Sequence, residues 1–214
     1  ITLYRHLLPK TEEIVLLSGA NNLLLARLPE IYMAEHGAFY NCVRFFDTFQ
    51  DEERGAAEEK FSLPRLFAKQ EKPTIQENAL SLDQRMRFAT DLTLRHLDGW
   101  NAVAKDLGAK LTFVLQPISR WVRDRGCSEE EALFLELANQ TRYTTVRSDV
   151  LQGKVGETYA AMLEAGARSK GVSFVDLNPA LRAVAKPDQW LFIDHTHLTD
   201  EGYDLLARLI VDRA

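Results

Sequence analysis

The strongest constraint on this chain is a unit that occurs twice: a long amphipathic stretch, a glycine, then a short apolar run. In the first copy, Ser81 followed by Gln84 has the pattern of a capping box. Met86, Ala89, Leu97, Trp100, Val103, Ala104 and Leu107 then make an approximate helical stripe. Gly108 stands where a glycine ends a helix, and residues 110–116 (KLTFVLQ) read as a strand closed by Pro117. In the second copy, a helix over about 154–170 carries Val155, Tyr159, Met162, Leu163 and Ala167 on one side. Gly171 ends it and residues 172–176 form the next strand. An earlier strand, 13–18 (EIVLLS), runs into Gly19.

Two shorter helices complete the pattern. One opens at Ser128 with Glu131 as a second capping box and buries Leu133, Phe134 and Leu137. The last has Thr199 as its N-cap, Asp200 and Glu201 in the first turn, and Leu205, Leu206, Leu209 and Ile210 on its apolar side. Strands separated by helices pair in parallel, because each return to the same end of the sheet needs a crossover. The expected fold class is therefore α/β with a parallel sheet covered on both faces, as one domain over 1–214. The segment at about 29–80 breaks the pattern. It is aromatic at first (Tyr32, Phe39, Tyr40, Phe45, Phe46, Phe49) and then charged. It reads as an insertion after a strand end, either lining a site or packing peripherally with a solvated acidic face.

Composition narrows the function classes. The net charge is −5 and no Lys/Arg cluster forms a basic face, which argues against nucleic-acid partners. No run approaches the 18 or so apolar residues of a membrane span. Cys42 and Cys127 fit no metal spacing, and either a disulfide or two buried thiols suits them, so the compartment stays open. Residues 1–6 do not read as a signal peptide, and a chain starting at Ile1 is expected to begin inside a longer gene product.

Two strand-end segments could carry chemistry. In Ser18-Gly19-Ala20-Asn21-Asn22, the glycine allows a tight turn, and a backbone N–H beside an Asn amide is the donor pair an oxyanion hole needs. The same residues also make an ordinary Gly-Asn turn. In Asp194-His195-Thr196-His197, the carboxylate three residues before His197 can fold back on the imidazole Nδ1–H and leave Nε2 as a base, or simply make a turn. His195 and His197 in extended backbone would share a side and with Asp194 offer metal ligands, but no further ligand has a matching context, and no metal is expected. Phosphate-loop and dinucleotide fingerprints are absent from the sequence, and no cofactor is called for.

Taken together, these segments resemble the SGNH/GDSL hydrolases, serine esterases and acylhydrolases with a flavodoxin-like three-layer α/β/α sheet. Their Gly-x-Asn block corresponds to Gly19-Ala20-Asn21 after the strand 13–18. Their Asp-x-x-His block, often followed by Leu-Thr-x-x-Gly, corresponds to Asp194 through His197 with Leu198-Thr199-Asp200-Glu201-Gly202 behind it. The resemblance runs from about Glu13 to Arg213. It implies His197 as general base, Asp194 as its orienting partner, and Gly19 and Asn21 as oxyanion donors. Asn22, Gln116, His195 and Ser119 would lie near the pocket. The implied substrate is a small-molecule ester or an acylated carbohydrate. The family's Gly-Asp-Ser block is missing, and Ser18 is too close to the donors to replace it. The resemblance thus implies that 13–18, 110–116 and 172–176 are strands three to five, with strands one and two and the nucleophilic serine supplied by a missing N-terminal segment. The alternative is a non-catalytic binding or assembly module that keeps the fold. Trp121, Trp190 and Tyr40 are either core or pocket-lining aromatics.

Overall fold

The computed structural model describes residues 10–26, 80–139 and 149–212. The expectations for residues 1–6, for Tyr40 and Cys42, and for almost all of the insertion at about 29–80 concern residues outside these. Three strands, β1 (Glu13–Ser18), β2 (Lys110–Leu115) and β3 (Ser173–Asp176), form a parallel sheet in the order β1-β2-β3. The register aligns Ser18 with Leu115 and Leu115 with Asp176, so all three strands finish on one edge.

Between β1 and β2 come α1 (Ala20–Leu25) and α2 (Leu82–Leu107). The Ser81 box is formed: its hydroxyl accepts from the Gln84 N–H at 3.3 Å, and its own N–H donates to Gln84 Oε1 at 2.9 Å. Gly108 closes α2 at φ +67°, a left-handed conformation that costs glycine little. After β2 follow α3 (Ser119–Val122), α4 (Ser128–Asn139) and α5 (Gly153–Ser169). After β3 come α6 (Asn178–Val184) and α7 (Asp200–Val211). Thr199 caps α7 by accepting from the Gly202 N–H at 3.1 Å.

The strands' alternation divides the core. Ile14, Leu16, Leu111, Phe113 and Leu115 face one side, where α1, α2 and α5 close a cluster that includes Leu23, Met86, Leu97, Tyr159 and Leu163. Val114 and Val175 face the other, against Phe134, Leu181, Phe192, Leu206 and Leu209 from α4, α6, α7 and the segment before α7. Helices thus lie on both sides of the sheet. Val15 and Leu17 of β1 belong to neither cluster and are exposed at 39% and 37%.

One expectation changes, and two open alternatives are decided. Ser128 is not an N-cap but the first residue of α4, and its hydroxyl turns to Glu129. Glu131 reaches back to the Gly126 N–H at 2.6 Å and takes both Nη atoms of Arg120, so the second box never forms. A charge-assisted fork outcompetes a single neutral cap bond. Cys127 is a buried free thiol, pushed upward in pKa chiefly by desolvation. Trp121 is core, with its indole N–H on the Val150 carbonyl at 2.8 Å, whereas Trp190 is 41% exposed.

Gly156 of α5 packs face-on against that tryptophan: a Cβ there would lie 2.5 Å from Trp121 Cδ2. Gly156→Ala is expected to cost about 1–3 kcal/mol by overpacking, despite alanine's better helix propensity. Gly99→Ala in α2, where a Cβ meets nothing within 4 Å, should instead raise stability by up to about 1 kcal/mol. Urea unfolding midpoints of the two variants check the contrast.

Candidate active site

The C-terminal edge of the sheet begins with Gly19. Its φ of +105° is strained for any other residue, and a Cβ would meet Leu115 Cδ1 at 2.9 Å and Phe113 Cζ at 3.2 Å. From beneath, the Tyr159 hydroxyl donates to the Gly19 carbonyl at 3.1 Å. Burial pushes that phenol well above its ordinary pKa, against a smaller opposing pull from the Thr93 hydroxyl, so it acts as a neutral donor. Directly after the turn, α1 begins. Asn21 sits in its first turn, exposed. Asn22 is part-buried and donates its amide to Thr93 Oγ1 at 2.7 Å, which ties α1 to α2.

The second segment, before α7, is a narrow loop. Its sides are closed by the antiparallel bridge Phe192↔Leu198 and by the Thr199 N–H on the Leu191 carbonyl at 2.8 Å. At its tip, Asp194 Oδ1 accepts from the Thr196 N–H at 2.6 Å, the Thr196 hydroxyl at 3.0 Å and the His197 N–H at 2.8 Å. The other oxygen, Oδ2, lies 2.7 Å from His197 Nδ1. A carboxylate can only accept, so Nδ1 carries the proton and Nε2 keeps its lone pair while the ring is neutral. The His197 side chain is 61% exposed and reaches solvent. Burial raises the Asp194 carboxyl, but hydrogen bonds from the His197 ring and from the Thr196 and His197 N–H groups outweigh it. The carboxyl is held below its ordinary range.

Gln116 just after β2, Ser119 of α3 and Glu130 of α4 fix this loop to the sheet edge. Gln116 donates Nε2–H to the Thr196 carbonyl at 2.8 Å, while its own N–H bonds the Ser18 carbonyl at 2.9 Å. A single residue therefore bridges the turn after β1 and the loop before α7. The Ser119 N–H donates to the His195 carbonyl at 3.0 Å, and its hydroxyl lies 2.9 Å from His195 Nδ1. Behind the loop, the buried Glu130 accepts the Leu191 and Phe192 N–H groups at 2.7 and 3.0 Å and Arg123 Nη2 at 2.7 Å. Asp176 and Asn178 link the ends of β3 and β2 in the same way, with Asn178 Oδ1 accepting the Ile118 N–H.

The structure thus puts Gly19, Asn21, Gln116, Asp194 and His197 at one edge of the sheet. It separates the two imidazoles: His197 turns to Asp194, whereas His195 turns to Ser119 and stacks on Phe134 with ring centres 4.3 Å apart. The same-side geometry expected for a metal pair does not form, because Asp194 folds 194–197 into a turn. Among the described residues, no group of three or more His, Cys, Asp or Glu side chains is disposed to hold a metal ion. Gln116, Asn22 and His195 have structural partners as well as their positions near the edge. The Ser119–His195 pair and the Glu130 anchor are additions that no local sequence signal marks. In comparison with known proteins, no family model and no curated relative matches the chain.

Two outcomes follow from this geometry. Asp194→Asn should lower stability by about 1–2 kcal/mol at neutral pH by weakening the charge-assisted bonds. Because the folded carboxyl is depressed, its contribution is complete above the unfolded pKa and fades as pH falls through the folded one. The gap in urea midpoint between wild type and variant should therefore shrink as pH falls below about 4.

Proposed function

We propose that this chain is an SGNH-type serine hydrolase, or the larger C-terminal part of one, that cleaves a small ester or acyl group, with an acylated carbohydrate among the candidate substrates. The observation that carries this reading is the 2.7 Å contact of Asp194 Oδ2 with His197 Nδ1, beneath an exposed imidazole and on the edge where the Gly19 turn lies. In this reading His197 Nε2 takes the proton of an attacking serine hydroxyl and returns it to the leaving alcohol. Asp194 holds the ring and stabilises the imidazolium. The Gly19 N–H and the Asn21 amide donate to the tetrahedral oxyanion, each worth about 2.7–4 kcal/mol of transition-state stabilisation. Water then releases the acyl group from the serine.

The serine comes, on this proposal, from a segment preceding β1. A flavodoxin-like sheet has the strand order 2-1-3-4-5, in which β1 to β3 are strands three to five. The first strand would lie along β1, whose outer edge has no strand partner among the described residues and where Val15 and Leu17 are exposed. A second reading, a non-catalytic module with the same fold, draws on one observation: all four hydrogen bonds to Asp194 come from Thr196 and His197 of its own loop, as a purely structural turn requires.

A fluorophosphonate probe applied to the natural full-length protein separates the two. The hydrolase reading expects one labelled serine, and His197→Ala is expected to slow labelling on the order of 10⁴-fold while leaving the fold intact. Absence of labelling in the wild-type protein favours the non-catalytic module.

A further inference from the structure

The two donors assigned to the oxyanion belong to different parts of the fold. The Gly19 N–H moves with the sheet. The Ser18 carbonyl accepts the Gln116 N–H at 2.9 Å, and in a planar trans peptide the Gly19 N–H then points the opposite way, off the outer edge of β1. Among the described residues no strand pairs with that edge. Asn21, in contrast, belongs to the six-residue α1. So short a helix is not stable alone and takes its direction from what it packs on. The two groups serve one oxygen only if α1 is held in a fixed relation to β1.

Two buried hydroxyls beneath the turn supply that relation. Tyr159 of α5 donates to the Gly19 carbonyl at 3.1 Å. This carbonyl belongs to the peptide that joins Gly19 to Ala20, so the bond fixes the direction in which the chain leaves β1 and enters α1. Thr93 of α2 accepts the Asn22 amide at 2.7 Å and gives its own proton to the Ala89 carbonyl at 2.8 Å. Consecutive helical residues point about 100° apart. With Asn22 held against α2, Asn21 is turned to the exposed side. The Tyr159 and Thr93 oxygens lie 3.5 Å apart, where α2 and α5 pack together. One small buried cluster therefore grips both the end of the strand and the roll of the helix.

We propose that Tyr159 and Thr93 are positioning residues that hold the Asn21 amide in register with the Gly19 N–H. The proposal rests on the hydrolase reading for what that register serves, but the register itself is measured without turnover. Three variants of the natural full-length protein test it. Tyr159→Phe and Thr93→Val each remove one hydroxyl and keep the shape of the side chain, and Thr93→Ser keeps the hydroxyl. One readout is the NMR signal of the Asn21 side-chain amide, which neither hydroxyl touches. The other is fluorophosphonate labelling, resolved into the rate at saturating probe and the probe concentration at half-saturation.

In Tyr159→Phe and Thr93→Val the Asn21 amide should shift, and labelling at saturation should slow about 10- to 100-fold with the half-saturating concentration unchanged. Thr93→Ser should match the wild type in both readouts. A purely structural role would lower the urea midpoint and leave both readouts of the folded protein where they were. The proposal is overturned if the Asn21 amide stays in place in a folded Tyr159→Phe or Thr93→Val protein, if either labels at the wild-type rate, or if Thr93→Ser is as slow as Thr93→Val. One of the two hydroxyl deletions in folded form suffices for the decision. If the wild-type protein takes no label, the hydrolase reading fails and the Asn21 amide alone decides the positioning, so the two fail separately.

Discussion

Gln116 is the residue on which the arrangement of the site depends. Its main-chain N–H extends the β1–β2 pairing by one bond to Ser18, and its side chain reaches on to the Thr196 carbonyl. A loop more than seventy residues away in sequence is thereby placed against the end of β2. Ser119 adds two further contacts, and Glu130 clamps the loop's incoming side with a buried carboxylate. The neutral bonds among these are worth about 1 kcal/mol net each, and those to the Glu130 carboxylate about 1.5–3 kcal/mol. Together they set the loop's position relative to the Gly19 turn, which is the relation any shared chemistry requires.

The sheet makes this economical. Parallel strands of matched register bring Ser18, Leu115 and Asp176 to the same edge, so the segments that follow them meet without long excursions. That edge of an open α/β sheet is where ligand sites generally form. Packing from below holds the turn rigid: Phe113 and Leu115 leave no room for a Cβ at position 19, and Tyr159 occupies the carbonyl. The Asp194/His197 pair differs in kind. Its geometry is local, written in four consecutive residues, and its imidazole stays in solvent.

This contrast explains what could be read from the residues alone. Helix ends with a single local solution were legible: the Ser81 box, the Gly108 stop and the Thr199 cap all formed. So was the Asp194 contact to His197, because a three-residue spacing suffices for it. The short α1 was not, since Ala-Asn-Asn-Leu-Leu-Leu after a glycine looks like a turn until Asn22 finds Thr93 on α2. The Ser128 box failed because Glu131 had a better partner eleven residues upstream in Arg120. The Ser119–His195 pairing spans 76 residues and has no periodic signature. Local rules succeed where the competing partner is absent and fail where a charged or buried group lies across the fold.

The central claim is that Asp194 fixes His197 with its proton on Nδ1 and its lone pair on Nε2 facing outward. Long-range ¹⁵N–¹H NMR of the histidine side chains measures this directly. The account predicts that neutral His197 shows the Nδ1–H tautomer, with a downfield Nδ1 proton protected from exchange by the carboxylate. A His197 ring in the Nε2–H tautomer, or one averaging freely between the two as an exposed imidazole does, would contradict it.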